Sequence, residues 1–85
     1  MTSTDAQKRA RVALEVLAEV TGCAVDGLER DQDLVADLGV DSPRALRLLV
    51  ELEDRLDAEI ADDAAGRIRT VGDLLAAVEA LESGG

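Results

Sequence analysis

The apolar residues of the first twenty positions recur at the spacing of one helix face. They are Ala10, Ala13, Leu14, Leu17 and Val20. This period predicts a first helix from about residue 5 or 6 to Val20, preceded by a polar, frayed start over residues 1–5. Gly22 follows as the residue that ends the helix, because glycine readily adopts the left-handed conformation found there.

A long connection without a clear period follows, from Cys23 to Asp41. Loops of this length usually carry function or short structure of their own. Leu28, Leu34 and Leu38 are spaced through the connection, and we expect these leucines to hold it against the helices.

The second helix is predicted to begin at Ser42. Ser42 suits the N-cap, and Pro43 suits the first helical position, where a missing N–H costs nothing. Apolar residues then recur at helical spacing over residues 44–58. The core positions predicted from this spacing are Ala45, Leu48, Leu49, Leu52 and Leu56.

Two further apolar residues, Leu46 and Val50, lie four and eight positions after Ser42 and share its face of the helix. We expect both to be partly exposed beside the serine. One interpretation is that the apolar stripe of this helix is simply wide. The other is that they form a gate to the bundle interior or a contact for a partner protein.

The last third of the chain predicts one short and one longer helix. Residues 61–66 form a short helical turn with acids at its start. Thr70 then caps the last helix, with Asp73 three positions on in a short-chain version of the capping box. The apolar face of this helix is Leu74, Leu75, Val78 and Leu81, and Ser83-Gly84-Gly85 is predicted to be a frayed tail.

These elements predict an all-α fold, a small antiparallel four-helix bundle with three long helices, one short helix and a long first loop. Eighty-five residues are enough for one domain, residues 1–85, with an ordered part of about 5–82. Hydrophobic residues make up 47% of the chain and none is aromatic, so the core must be built from Leu, Val, Ile and Ala.

Composition excludes several classes of function. The net charge of −10 is unsuited to nucleic acid, whose phosphates require clustered Lys or Arg. No segment is long and apolar enough for a membrane span, and the first residues do not resemble a signal peptide, so we expect a cytoplasmic protein. With no histidine and one cysteine, no disulfide, metal site or catalytic thiol is expected, and Cys23 is interpreted as a small buried or half-buried filler.

Ser42 is the residue on which chemistry is expected to converge. A serine at the start of a helix lies at the positive end of the helix dipole, which stabilises a phosphate group. No histidine is present to activate the hydroxyl. The chain is therefore predicted to offer Ser42 for modification and not to be an enzyme.

The segment Asp33-Leu34-Val35-Ala36-Asp37-Leu38-Gly39-Val40-Asp41-Ser42 resembles the signature of the acyl carrier protein family. The resemblance continues through residues 52–60, Asp62-Asp63 and residues 69–74, and it covers about residues 24–82. It implies that a phosphopantetheinyl transferase moves 4′-phosphopantetheine from coenzyme A to Ser42. The arm would then hold acyl groups as thioesters for an acyltransferase, ketosynthase or adenylating enzyme. It further implies that catalysis belongs to these partners. We predict that the chain is a monomer.

One departure from the family concerns the residues after the serine. Fatty-acid carriers usually have leucine there and a strongly acidic second helix, whereas this chain has Pro43, Arg44 and Arg47. The departure, together with eight arginines against one lysine and abundant alanine, favours a bacterial carrier of polyketide or antibiotic biosynthesis. The residues predicted to contact partners are Asp37, Asp41, Arg44, Leu46, Arg47, Val50, Glu51, Glu53 and Asp54.

Two alternatives stay open. A peptidyl or aminoacyl carrier of a hybrid pathway is less favoured, because such carriers more often have a small residue, and not aspartate, before the serine. The other alternative is a helical interaction module without a prosthetic group. Mass distinguishes the two, because only a carrier would gain phosphopantetheine when incubated with coenzyme A and a transferase.

Overall fold

The structure is a computed structural model that describes the backbone of residues 2–81 and the side chains of residues 6–81. It contains four α-helices, and no strand forms within residues 2–81. The helices are α1 (Thr2–Thr21), α2 (Ser42–Leu56), α3 (Asp62–Gly66) and α4 (Val71–Glu79). The predicted small all-α bundle is confirmed.

The core lies where α1 packs against both α2 and α4. Each long helix contributes one fully buried leucine, which are Leu17, Leu52 and Leu74. All the buried side chains of the described residues are apolar, as the composition predicts. Burial of aliphatic surface from three helices is therefore what holds the bundle together.

The ends of α1 differ in part from the prediction. The helix begins at Thr2, three residues before Asp5. At its other end Gly22 has φ +76°, and its N–H donates to the carbonyl of Ala18 at 2.8 Å, as expected for the glycine that ends a helix. The prediction for Cys23 is wrong: its side chain is exposed, because the turn at Gly22 directs the chain away from the face of α1 that packs on the core.

The long α1–α2 connection is held to the end of the bundle by backbone hydrogen bonds. It contains a 3-10 helix, Val25–Gly27. Beyond it, the N–H of Leu34 donates to the carbonyl of Arg69 at 2.9 Å, and the N–H of Val71 donates to the carbonyl of Gln32 at 3.0 Å. Leu34 is buried, and Leu28 and Leu38 are half-buried against the core, so the leucines hold the connection as predicted.

The predicted capping of α4 is also confirmed. The Thr70 hydroxyl accepts from the N–H of Asp73 at 3.1 Å, and the Asp73 carboxylate accepts in return from the N–H of Thr70. This is a capping box in which aspartate replaces the usual glutamate. At the far end of α4, the Arg9 side chain donates to the carbonyls of Val78 and Glu79, so α1 caps α4.

In the described residues, no helix is long and apolar enough to cross a membrane. The prediction that Ser83-Gly84-Gly85 is a frayed tail falls outside the described residues.

Candidate functional site

Ser42 is the first residue of α2, and its side chain is exposed. The predicted N-cap is wrong by one position. Asp41 has the extended backbone of a cap, and its carboxylate accepts from the N–H of Arg44 at 3.0 Å. Both residues are good caps, but only the one before the helix can bond the third helical N–H, so Ser42 and Pro43 become the first two helical residues.

The turn before Asp41 has its own hydrogen bonds. The Asp33 carboxylate accepts from the N–H groups of Val35 and Ala36, at 2.9 and 2.8 Å, and the N–H of Asp33 donates to the Asp37 carboxylate. The hydrogen bonds from Ala36 and Val35 lower the pKa of Asp33. The Asp33 carboxylate therefore stays ionised, and its hydrogen bonds hold the turn that precedes the serine.

Gly39 ends that turn with φ +70°, a conformation that favours glycine. The next residue, Val40, is buried, and its N–H donates to the carbonyl of Leu34 at 2.9 Å. Val40 thus anchors the chain in the core immediately before Asp41 and Ser42, which both face solvent. The anchor fixes the start of α2 relative to the bundle.

An apolar cavity of about 400 Å³ opens beside Ser42. Its walls come from the end of the long connection, from α2, from α4 and from Ile68 in the α3–α4 connection. The lining residues are Leu34, Val35, Val40, Asp41, Ser42, Ala45, Leu48, Leu49, Ile68 and Leu74. The only polar side chains among them, Asp41 and Ser42, both lie at the start of α2.

The expectation that Leu46 and Val50 are partly exposed is confirmed, since their exposed fractions are 65% and 55%. Val35, at 68%, was not predicted as a surface residue. Val35 follows the buried Leu34 in a hydrogen-bonded turn, which directs the two side chains differently. Since the connection has no clear apolar period, its sequence holds no signal for this exposure.

The acidic residues predicted to contact partners differ in how they are used inside the molecule. Asp37 and Asp41 accept the hydrogen bonds described above, and Glu53 accepts from the N–H of Ile60 at 2.8 Å, which fixes the α2–α3 connection. Glu51 lies 3.5 Å from Arg55, whose two terminal nitrogens also contact Glu19 of α1 at 3.0 and 3.1 Å. The hydrogen bond to Glu19 raises the pKa of Arg55. Asp54 is exposed.

The two arginines predicted to contact partners lie in different surroundings. Arg44 is half-exposed and bonds to the turn before the serine, through the carbonyl of Gly39 at 3.2 Å and the carboxylate of Asp41 at 3.7 Å. Arg47 is exposed, and within the described part of the chain no carboxylate pairs with it. No group of three or more potential ligands for a metal ion occurs among the described residues.

The start of α2 fits a phosphate-linked arm. The Ser42 hydroxyl is exposed at the first helical position, where backbone N–H groups lack intrahelical partners and the helix dipole favours negative charge. An aliphatic cavity next to the hydroxyl can receive an apolar group. The polar side chains and the apolar cavity thus lie together at one end of α2.

Comparison with known proteins agrees with this geometry. The family described as "Phosphopantetheine attachment site" matches residues 11–78. An acyl carrier protein from Sulfurovum sp. is 40% identical over 65 residues, covering 76% of this chain and 87% of that protein. One of the subunits of a polyunsaturated fatty acid synthase from Thraustochytrium sp. is 42% identical over 79 residues, 92% of this chain, but the chain spans only 3% of that much longer protein.

A solved structure from Mycobacterium tuberculosis, described as a proposed acyl carrier protein, superposes with a TM-score of 0.75 at 33% identity. The match covers 82% of this chain and 93% of that one. Proteins of this family carry 4′-phosphopantetheine and are carriers, not catalysts. The match over residues 11–78 and the shared helical bundle show that the chain belongs to the phosphopantetheine-attachment family, which is the family of the acyl carrier proteins.

Proposed function

We propose that Ser42 is the attachment point of the 4′-phosphopantetheine arm, and that the arm holds acyl intermediates as thioesters. The observation that carries the proposal is the position of Ser42, which is exposed at the first turn of α2 and at the mouth of the apolar cavity. A serine placed there can enter the active site of a transferase. The acyl group on its arm would then lie next to the apolar cavity.

Loading of Ser42 is a phosphoryl transfer. The Ser42 oxygen forms a bond to the phosphorus that carries pantetheine in coenzyme A, the bond within the diphosphate breaks, and adenosine 3′,5′-bisphosphate leaves. The hydroxyl proton goes to a base on the transferase. This chain has no histidine, which is the side chain that ordinarily accepts a proton near neutral pH. The arm supplies a thiol for thioester formation, and the chain supplies position.

The cavity beside Ser42 suits an aliphatic acyl chain. Its lining is built from branched aliphatic side chains such as Val40, Leu48 and Ile68, and the whole chain contains no aromatic residue that could stack on a planar cargo. Burial of methylene groups there would contribute about 0.8 kcal/mol each. Such shelter would keep water from the thioester between partner enzymes.

Polyketide or a related secondary-metabolite biosynthesis is the pathway class that we propose. The support is the unusual surface after the serine, where Arg47 lies between the exposed apolar residues Leu46 and Val50. The similarity to a segment of a polyunsaturated fatty acid synthase further supports work with synthase-type enzymes. Because the role requires coenzyme A and such enzymes, we propose that the chain acts in the cytoplasm.

The partners proposed are a phosphopantetheinyl transferase and an acyltransferase, ketosynthase or adenylating enzyme. Leu46, Arg47, Val50 and Asp54 are the strongest candidates for contact, because they are exposed along α2. An apolar patch with mixed charge around it is typical of a protein interface, where the charges set orientation and association rate.

The attachment is tested by incubating the purified chain with coenzyme A and a broad-specificity phosphopantetheinyl transferase, followed by intact-mass measurement. We expect one phosphopantetheine on the wild-type chain, none on Ser42→Ala and one on the matched control Ser3→Ala. If the wild-type chain gains no mass, the proposed attachment is wrong and the chain is an unmodified helical module. A modified Ser42→Ala chain would place the arm elsewhere.

A further inference from the structure

The side chain of Arg44 folds back over the turn that precedes Ser42. Its Nη1 atom donates to the carbonyl oxygen of Gly39 at 3.2 Å and lies 3.7 Å from a carboxylate oxygen of Asp41. The backbone N–H of Arg44 donates to the other carboxylate oxygen of Asp41 at 3.0 Å. One residue thus contacts the last turn of the long connection and the cap of α2, on both sides of the buried Val40.

We infer that Arg44 is a positioning residue for the loading of Ser42, and not primarily a contact for partner proteins. Its guanidinium joins Gly39 to Asp41 and so restricts the three residues that lead to the serine. The inference rests on the proposed attachment at Ser42. It states that Arg44, two positions further along the chain, sets the orientation of the Ser42 hydroxyl.

The conformation of the turn gives the reason why such a clasp matters. Gly39 has φ +70°, and glycine is the residue with the most backbone freedom. Asp41 is extended with φ −93°, between the anchored Val40 and the first helical residue. Without a clasp, rotation about Gly39 and Asp41 would spread the exposed Ser42 hydroxyl over several orientations, only some of which suit in-line attack.

Charge gives a second reason. The Asp41 carboxylate lies next to the serine, where it repels the negatively charged phosphate groups of the incoming donor. Arg44 is paired with this carboxylate and offsets its charge, and an arginine keeps its own charge at every physiological pH. Arg47, one helical turn further along α2, pairs with no carboxylate among the described residues.

Arg47 therefore provides a matched comparison, since it is the same residue type, three positions along the same helix. If both arginines served only to attract a partner, the same substitution at either position would change the loading reaction in the same way. If Arg44 positions the serine, only its substitution should lower the rate at saturating carrier concentration.

The experiment measures initial loading rates by intact mass, with coenzyme A, a broad-specificity phosphopantetheinyl transferase and the full chain at several concentrations. The variants are Arg44→Met, Arg44→Lys and Arg47→Met, each at low and high salt. We expect Arg44→Met to lower kcat about threefold to tenfold at both salt concentrations, the range of one ordinary hydrogen bond, because this one is exposed to solvent. Arg44→Lys should recover part of the loss. Arg47→Met should instead raise KM, and mainly at low salt.

Amide hydrogen exchange of the unmodified chain supplies a readout that needs no transferase. We expect Arg44→Met to speed exchange at Gly39 and Val40, whose N–H groups donate to the carbonyls of Val35 and Leu34, and Arg47→Met to leave these amides as in the wild type. A thermal melt checks that each variant is folded at the assay temperature.

Three results would overturn the role of Arg44. They are a wild-type kcat in Arg44→Met, an equal loss of kcat in Arg47→Met, and unchanged exchange at Gly39 and Val40. A wild-type chain that gains no phosphopantetheine is a different failure, because it removes the proposed attachment at Ser42 itself.

Discussion

The N–H of Gly72 donates to the carbonyl of Arg30 at 2.8 Å, which joins the first turn of α4 to the long α1–α2 connection. A β-carbon built on Gly72 would lie 3.1 Å from that carbonyl oxygen. The close approach explains why glycine stands inside the start of a helix, where it is otherwise unfavourable. The same hydrogen bond holds the connection that leads to Ser42 against the start of α4.

Gly72→Ala should therefore destabilise the fold, by about 1–2 kcal/mol as overpacked sites commonly do. The neighbouring atom is a backbone carbonyl, which cannot move without loosening the connection. The matched control is Gly66→Ala, because a β-carbon at Gly66 meets nothing within 4 Å and should be neutral or slightly stabilising. Chemical denaturation of both variants is the measurement, and equal stability would contradict the packing argument.

Leu34→Ala should cost about 2–4 kcal/mol, as large-to-small changes in a core usually do. Leu34 is 5% exposed and bonds through its N–H to Arg69, whereas Leu38 is only half-buried. Leu38→Ala should accordingly cost less. Urea denaturation of the two variants tests the order, and a greater loss for Leu38 would mean that the wrong leucine holds the connection.

The stability of the chain should fall in acid through Asp33 and Asp73. The backbone N–H groups of Ala36 and Val35 lower the pKa of Asp33, and those of Arg69 and Thr70 lower the pKa of Asp73. A carboxyl whose pKa is lower folded than unfolded contributes its stability above the unfolded pKa, near pH 4, and loses it as the pH drops through the folded value. Melting curves from pH 7 to pH 2.5 should show this loss, and it should be smaller in Asp33→Asn and Asp73→Asn.

Arg9 should stabilise α4 from a distance of almost seventy residues in sequence. Its side chain donates to the carbonyls of Val78 and Glu79, at 2.8 and 3.0 Å, in the last turn of the helix, where a cation is favourable. Arg9→Met should cost about 1–2 kcal/mol, because hydrogen bonds to a charged donor exceed neutral ones. Arg11→Met is the control, since its exposed pair with Glu15 should contribute less than about 1 kcal/mol. Equal losses would show that Arg9 acts only through charge.

Local rules predicted those parts of the molecule in which one residue decides the outcome. Thr70 and Asp73 form the predicted capping box, and Gly22 ends α1 with a positive φ. The cap of α2 was misassigned because Asp41 and Ser42 are adjacent and chemically equivalent as caps, so only the backbone geometry decides between them.

Features that depend on long-range contacts could not be read from the chain. The bond from Gly72 to Arg30, the reach of Arg9 to Val78 and the apolar cavity at Ser42 each join segments that no sequence pattern relates. The prediction that Cys23 is buried or half-buried is wrong for the same reason, since its exposure depends on the direction that the chain takes after Gly22. The family resemblance predicts a role for Ser42, but not what surrounds it.

The last prediction concerns the charge on the exposed face of α2. Arg47 lies between Leu46 and Val50, and no carboxylate in the described part of the chain neutralises it. If the cognate acyl-transferring enzyme offers an acidic group there, Arg47→Glu should slow transfer to the carrier, since rim charges act mainly on association rate. The loss should be greatest at low salt, because at 0.1 M salt charges are screened beyond about 10 Å. Stability should change by no more than about 0.5 kcal/mol, as is usual for an exposed side chain.

The control for that experiment is Arg11→Glu, which makes the same change of net charge on α1, away from the residues that line the cavity. Transfer rates of the two variants and the wild type are compared at low and high salt. A loss confined to Arg47→Glu and removed by salt supports a docking contact at this position. Equal losses in both variants would assign the effect to net charge, and equal rates in all three would mean that Arg47 is only a solvated side chain. In either of those cases Leu46, Val50 and Asp54 would remain as the candidate contacts on α2.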